Sequence, residues 1–186
     1  MRTQVKICGL TRPEDIEAAI HYGADYLGFI VEAPSKRRLS VTQAAKLSLP
    51  AKGIVPRVAV TVNADDDVLS RIMTNMQPDY IQLHGDEDVD RVAEIAEQFT
   101  VKTIKAIAIS NHSDMIRAAQ FAGVADMTLL DAKPPAGSDV RGGHGITIDW
   151  SIIKTARLPK TYLLAGGLTP DNAAEALVVT HAPILD

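Results

Sequence analysis

Short apolar runs, rich in β-branched residues, alternate with longer amphipathic segments along the whole chain. Eight of these runs predict β-strands, at 5–7, 26–30, 57–62, 80–84, 103–109, 127–131, 161–166 and 183–186. Three segments between them, at 11–23, 86–99 and 113–123, have the apolar spacing of helices. The first has Pro13 as a helix opener, acidic residues in its first turn and Gly23 as a stop.

Strands that are apolar almost throughout and are separated by helices indicate a parallel sheet covered on its outer face. The sequence therefore predicts an α/β fold, a single (β/α)8 TIM barrel spanning residues 1–186. An open, doubly wound sheet is the alternative. In a barrel, functional groups lie where strands end, and Cys8, His84, Asp131 and Gly166 occupy such positions.

Composition and charge exclude several classes of partner. The net charge is −4 and aromatic residues make up only 4% of the chain, which argues against nucleic acid, whether double- or single-stranded. No apolar run approaches the roughly 20 residues of a membrane span, and the first residues lack the apolar stretch of a secretory signal. We expect a cytoplasmic protein that binds neither nucleic acid nor membrane.

The single cysteine, Cys8, excludes an internal disulfide and a multi-cysteine zinc site. The histidines also lack the spacing of metal ligands, so no metal site is expected. At the end of the first strand, Cys8 fits a buried spectator or a catalytic base, and the residues alone favour the spectator. Asp131 likewise fits a helix cap, a salt-bridged loop residue or a general acid.

Several motifs in one order resemble phosphoribosylanthranilate isomerase, a (β/α)8-barrel enzyme of tryptophan biosynthesis. They are KICGLTRPEDI at 6–16, GADYLGFI at 23–30, SKRRLS at 35–40, DYIQLHGDE at 79–87, LLDAKPPAGSDVRGGHGITIDW at 129–150 and LLAGGLTPDNAAEAL at 163–177. The KICG, QLHG and GGxG…DW segments are highly specific in combination. The resemblance covers essentially the full chain.

The resemblance implies an Amadori rearrangement of N-(5-phosphoribosyl)anthranilate, without cofactor or metal. It makes Cys8 the base and Asp131 the acid. A base acts as thiolate, so we expect Lys6 or backbone donors to lower the pKa of Cys8. The histidine-pathway isomerase is the nearest alternative, but it is expected to use two aspartates. A non-catalytic phosphosugar-binding remnant is the alternative from another class.

The same resemblance assigns the residues that hold a small phosphosugar substrate. Arg37 is expected to meet the anthranilate carboxylate, although Arg38 is adjacent and a shift of one residue is the alternative. Gln82 and His84 are expected to line the substrate pocket without transferring protons. Glycine-rich loops are expected to bind phosphate; their residues are Gly142, Gly143, Gly145, Gly166 and Gly167.

One departure from the family concerns the last residues. In the family, a segment resembling Ser-Ser-Gly-Val-Glu and a final helix follow the aspartate that corresponds to Asp186. We therefore expect a barrel that lacks the end of strand 8 and its closing helix, with an exposed parallel edge.

The protein is expected to be a monomer or a homodimer.

Overall fold

The computed structural model describes residues 2–133, 147–154 and 161–186. These residues contain eight β-strands, close to the eight predicted positions. The strands are β1 Gln4–Cys8, β2 Tyr26–Ile30, β3 Arg57–Thr61, β4 Tyr80–Leu83, β5 Lys102–Ile109, β6 Met127–Ala132, β7 Tyr162–Leu164 and β8 Ile184–Leu185.

A helix follows most of the strands, as the pattern predicts. The helices are α1 Pro13–His21, α2 Val41–Ser48, α3 Asp66–Asn75, α4 Val89–Phe99, α5 His112–Ala119, α6 Trp150–Lys154 and α7 Ala173–Thr180, with a short 3-10 helix at Leu49–Ala51. Pro13 opens α1, and Ser40, Asp65, Asp88 and Asn111 cap the next four helices with their side chains. None of the described helices combines the length and hydropathy that a membrane span requires.

All neighbouring strands are parallel, and the sheet closes in the order β1 to β8. The predicted TIM barrel is confirmed, and the open doubly wound alternative is excluded. The expected exposed edge is wrong, because β8 pairs with β1 at Gln4↔Ile184 and with β7 at Leu163↔Ile184. Two residues of β8 are enough to form both ladders, so the barrel is closed where an open edge was expected.

The apolar core has two layers, because successive residues of a strand point to opposite faces of the sheet. One layer fills the barrel interior and consists of Val58, Val60, Ile104, Ala106, Met127, Leu129, Leu163, Ala165 and Ile184. The other lies between the strands and the helices, with Leu69, Ile81, Ile95 and Leu130 among its fully buried members. Cys8 packs against the interior layer, which places it inside the barrel.

Candidate active site

A cavity of about 370 Å³ opens where the carboxyl ends of the strands meet. Polar side chains that are distant in sequence line it together with two glycines. They are Lys6, Cys8, Arg37, Gln82, His84, Asp131 and Asp186, with Gly166 and Gly167. The structure thus brings together all the predicted site residues that it describes.

Cys8 and Asp131 reach this cavity for the same local reason. Cys8 is the last residue of β1, and Asp131 lies one residue before the end of β6, so both side chains reach the mouth of the barrel. Between their strands, on the shorter way around the sheet, lie only β7 and β8. The wall of the cavity therefore carries a thiol and a carboxyl group from different strands.

The surroundings of Cys8 contain a buried ion pair. Lys6, two residues earlier on β1, is completely buried, and its Nζ donates to both carboxylate oxygens of Asp186 at 2.8 Å. The pKa of Lys6 is raised: burial lowers it, but the interactions of the ammonium with Asp186 and, after it, with Cys8 together outweigh burial. Lys6 is therefore an ammonium at neutral pH.

The expectation of a thiol with a lowered pKa is wrong. Burial raises the pKa of Cys8, and the negative charge of Asp186 raises it further. Lys6 does lower it, as predicted, through its charge and a hydrogen bond, and Arg37 adds a smaller effect in the same direction. These two cations offset only part of the increase, so Cys8 rests as a thiol.

Asp131 is held by two hydrogen bonds. Its Oδ1 accepts from the backbone N–H of Ala132 at 2.8 Å, and its Oδ2 lies 3.2 Å from Nε2 of His84. The other ring nitrogen of His84, Nδ1, lies 3.0 Å from Nε2 of Gln82. Because an amide N–H donates, Nδ1 is the acceptor, and a neutral His84 carries its proton on Nε2 and donates it to Asp131.

The predicted pocket lining by Gln82 and His84 therefore has a more specific form. The two side chains and Asp131 form one hydrogen-bonded row across the cavity, in which His84 orients the carboxyl group. Gln82 is 1% exposed, so the far end of the row is fixed in the barrel interior.

The loop after β2 brings Arg37 over Cys8. Nη1 of Arg37 donates to the carbonyl oxygen of Cys8 at 2.8 Å. A side chain at Gly9 would collide with this guanidinium, since a Cβ there would lie 2.3 Å from Nη1, and the φ of Gly9 is +77°. Arg38 instead pairs with Glu32 at 2.8 Å and is not part of the cavity lining.

Two of the predicted phosphate-binding glycines are described, and both border the cavity after β7. Gly166 and Gly167 have φ values of +87° and +61°, and a Cβ at Gly166 would lie 2.6 Å from the backbone nitrogen of Ala132. Only glycine fits there, because the loop approaches the end of β6 so closely. Gly142, Gly143 and Gly145 lie outside the described residues.

Asp186 was not predicted as a site residue, and Lys6 was predicted only as a neighbour that lowers the pKa of Cys8. Strand alternation does place Lys6 on the same face as Cys8, and Asp186 follows an apolar strand as Asp131 does. Their pairing joins residues 180 positions apart, which no local pattern reveals. Within the described ranges, no group of three or more acidic, histidine or cysteine side chains has the arrangement of a metal site.

Sequence comparisons with known proteins place this chain in one family. A sequence model of the family described as "N-(5'phosphoribosyl)anthranilate (PRA) isomerase" matches residues 5–186. The N-(5'-phosphoribosyl)anthranilate isomerase of Parvibaculum lavamentivorans is 44% identical; the match covers all of this chain and 87% of the relative.

Solved structures give the same result. The crystal structure of phosphoribosyl anthranilate isomerase from Thermotoga maritima superposes with a TM-score of 0.84 at 34% identity, covering 100% of this chain and 87% of that one. Another, of the isomerase in complex with reduced 1-(o-carboxyphenylamino)-1-deoxyribulose 5-phosphate, gives 0.81 at 31% identity, covering 100% and 86%.

Proposed function

Because this chain belongs to the N-(5'-phosphoribosyl)anthranilate isomerase family, whose reaction is a step of tryptophan biosynthesis, we propose that Cys8 and Asp131 are its base and acid. The observation that carries this assignment is their position: a thiol and a carboxyl group line the same cavity from two strands of the barrel. Each group has a partner nearby. The charge of Lys6 favours the thiolate of Cys8, and His84 is hydrogen-bonded to the carboxyl group of Asp131.

The rearrangement needs an acid first. Protonation of the furanose ring oxygen by Asp131 breaks the bond between that oxygen and C1′, and the nitrogen lone pair forms a Schiff base. The two bonds from His84 and Ala132 hold the carboxyl group in one orientation, so it is positioned before the substrate arrives. Asp131 is left as a carboxylate.

The base acts second. Cys8, which rests as a thiol, first loses its proton to water; the thiolate then removes the proton from C2′, and the electron pair of that C–H bond forms the double bond of an enolamine. The enolamine tautomerises to the ketone by losing the hydroxyl proton at C2′ and gaining one at C1′. Cys8 is then a thiol again, and Asp131 regains its proton from water.

We further infer that Arg37 binds the carboxylate of the anthranilate ring. Its guanidinium lies beside Cys8 at the cavity edge and is exposed, so its remaining N–H donors are accessible to a ligand. A guanidinium binds a carboxylate through two parallel hydrogen bonds, which fixes the ring relative to the reacting carbons.

The phosphate is assigned to the loop after β7. Gly166 and Gly167 present backbone without side chains at the cavity wall, and barrels commonly bind phosphate after strands seven and eight. Asn172 braces this loop, because its Nδ2 donates to the carbonyl of Gly167 at 2.9 Å. A phosphate there and a carboxylate at Arg37 place the sugar between Cys8 and Asp131.

Turnover of phosphoribosylanthranilate by Cys8→Ala and Asp131→Asn tests the two roles. We expect kcat to fall by about 10²–10⁴-fold in each variant, the usual contribution of a general acid or base. Binding of a reduced product analogue should stay within about threefold of the parent, since neither group is needed for affinity. A variant with near-normal kcat removes that residue from its proposed role.

A further inference from the structure

Residues from β8, β1 and β2, three neighbouring strands, surround the thiol of Cys8 and bring two charges close to it. Asp186 follows β8, Lys6 and Cys8 lie on β1, and Gly28 lies opposite Cys8 on β2. A Cβ on Gly28 would lie 2.8 Å from Sγ of Cys8 and 3.2 Å from Nζ of Lys6. Gly28 therefore leaves the space in which the ammonium and the sulfur approach each other.

The side-chain ammonium of Lys6 has more N–H donors than Asp186 takes up. An ammonium has three N–H donors, and Asp186 accepts two of them, one on each carboxylate oxygen, at 2.8 Å. The third is not taken by Asp186, and the positive charge of Lys6 favours the thiolate of Cys8. With side-chain exposures of 0% for Lys6 and 7% for Asp186, little water screens these charges.

We propose that Lys6 and Asp186 are positioning residues that set the ionisation of Cys8 in opposite directions. The positive charge of Lys6 stabilises the thiolate of Cys8 once it has formed. Asp186 holds Lys6 in place through their ion pair, but its own negative charge disfavours the thiolate. This inference rests on the proposed role of Cys8 as the base.

The other charged groups around Cys8 do not supply such a pair of opposite charges beside the thiol. Arg37, from the loop after β2, contacts the backbone carbonyl of Cys8 and has the smaller effect on the thiol. Asp131 and His84 line the cavity from β6 and from the loop after β4, where they are bonded to each other. Lys6 and Asp186 are the charged neighbours with the largest effect on the thiol among the described residues.

The lone cysteine makes a direct measurement possible, because iodoacetamide alkylation of the folded chain reports on Cys8 alone. Only the thiolate reacts, so the rate below the pKa follows the ionised fraction. Nearby charges typically shift a pKa by one to three units. At about pH 7 we therefore expect alkylation to slow by about tenfold or more in Lys6→Met and to accelerate by a similar factor in Asp186→Asn.

Two further variants separate this role from simple packing. Lys6→Arg keeps the positive charge and should alkylate within about threefold of the parent. Arg2→Met breaks a different ion pair, with Asp25 at 2.6 Å, where β1 begins, and should leave the alkylation rate within about twofold of the parent.

Shifts of equal sign in Lys6→Met and Asp186→Asn, or no shift in either, would overturn the proposal. If Lys6→Met does not fold by circular dichroism, Asp186→Asn alone decides, because a merely structural aspartate gives no acceleration. The pH profile of kcat/KM then separates the two proposals. If alkylation shifts and the profile does not, the charge arrangement is correct and Cys8 is not the base.

Discussion

Arg37 and Arg38 are adjacent in the chain but have different surroundings. Arg37 lines the cavity and donates to the Cys8 carbonyl, whereas Arg38 pairs with Glu32 at the surface. A charge-assisted hydrogen bond contributes about 1.5–3 kcal/mol. We therefore expect Arg37→Ala to raise KM for phosphoribosylanthranilate by about ten- to a hundredfold with little change in kcat.

Arg38→Ala is the matched control for this prediction. It removes an equal charge one residue away, from an exposed pair whose contribution is small. Steady-state kinetics should give a KM within about twofold of the parent. The assignment of the carboxylate to Arg37 is wrong if Arg38→Ala raises KM and Arg37→Ala does not.

At the scale of single residues, the sequence predicts which side chains line the cavity better than it predicts their partners. The motif order predicts Cys8, Asp131, Arg37, Gln82 and His84, and all of them line one cavity. The hydrogen bond between His84 and Asp131 depends on a contact between strands that are distant in sequence. The same holds for the effect of Asp186 on the ionisation of Cys8. Residue types and spacing contain no record of such contacts.

The loop between β4 and α4 shows how one element is held for its role at the site. Glu87 accepts from the backbone N–H groups of Asn63 at 2.8 Å and Gly85 at 2.9 Å, and it pairs with Lys105 at 2.7 Å. Lys105 also donates to the carbonyl of Gly85 at 2.8 Å. This pair therefore fixes the backbone next to His84.

Weakening this pair should destabilise the fold. In Glu87→Gln the cation of Lys105 stays buried without its counter-charge, and burial already lowers the pKa of Lys105. Breaking a buried ion pair costs about 3–5 kcal/mol. We expect a loss of this size in the free energy of unfolding, measured by urea denaturation.

Glu94→Gln is the corresponding surface control. Glu94 pairs with Arg91 at 2.6 Å but is 57% exposed, and such pairs contribute under about 1 kcal/mol. Equal losses in Glu87→Gln and Glu94→Gln would show that the buried pair does not hold the loop.

Elements were predictable because their signals are local. Alternating apolar runs gave eight strands near their observed positions, and Pro13 marks the start of α1. Strand ends were less certain: β4 ends at Leu83, one residue before the predicted end, so His84 belongs to the loop. Hydrogen bonds to neighbouring strands, rather than composition, decide where a strand ends.

At the scale of the whole molecule, closure of the barrel creates the site. Residues 8, 131 and 186 meet in one cavity because β6, β7, β8 and β1 are neighbours in a closed sheet. The expected open edge was wrong because the two residues of β8 pair on both sides. The same pairing brings Asp186 to Lys6, so closure and the electrostatics of Cys8 have one origin.

The most direct test of the central claim, that Cys8 removes the C2′ proton, is tritium release. Phosphoribosylanthranilate tritiated at C2′ is mixed with excess enzyme, and the tritium that appears in water is measured in a single turnover. We expect release by the parent chain and, in Cys8→Ala that still binds the product analogue, a rate lower by about 10²-fold or more. Release by Cys8→Ala at close to the parent rate would contradict the account, because another group would then be the base.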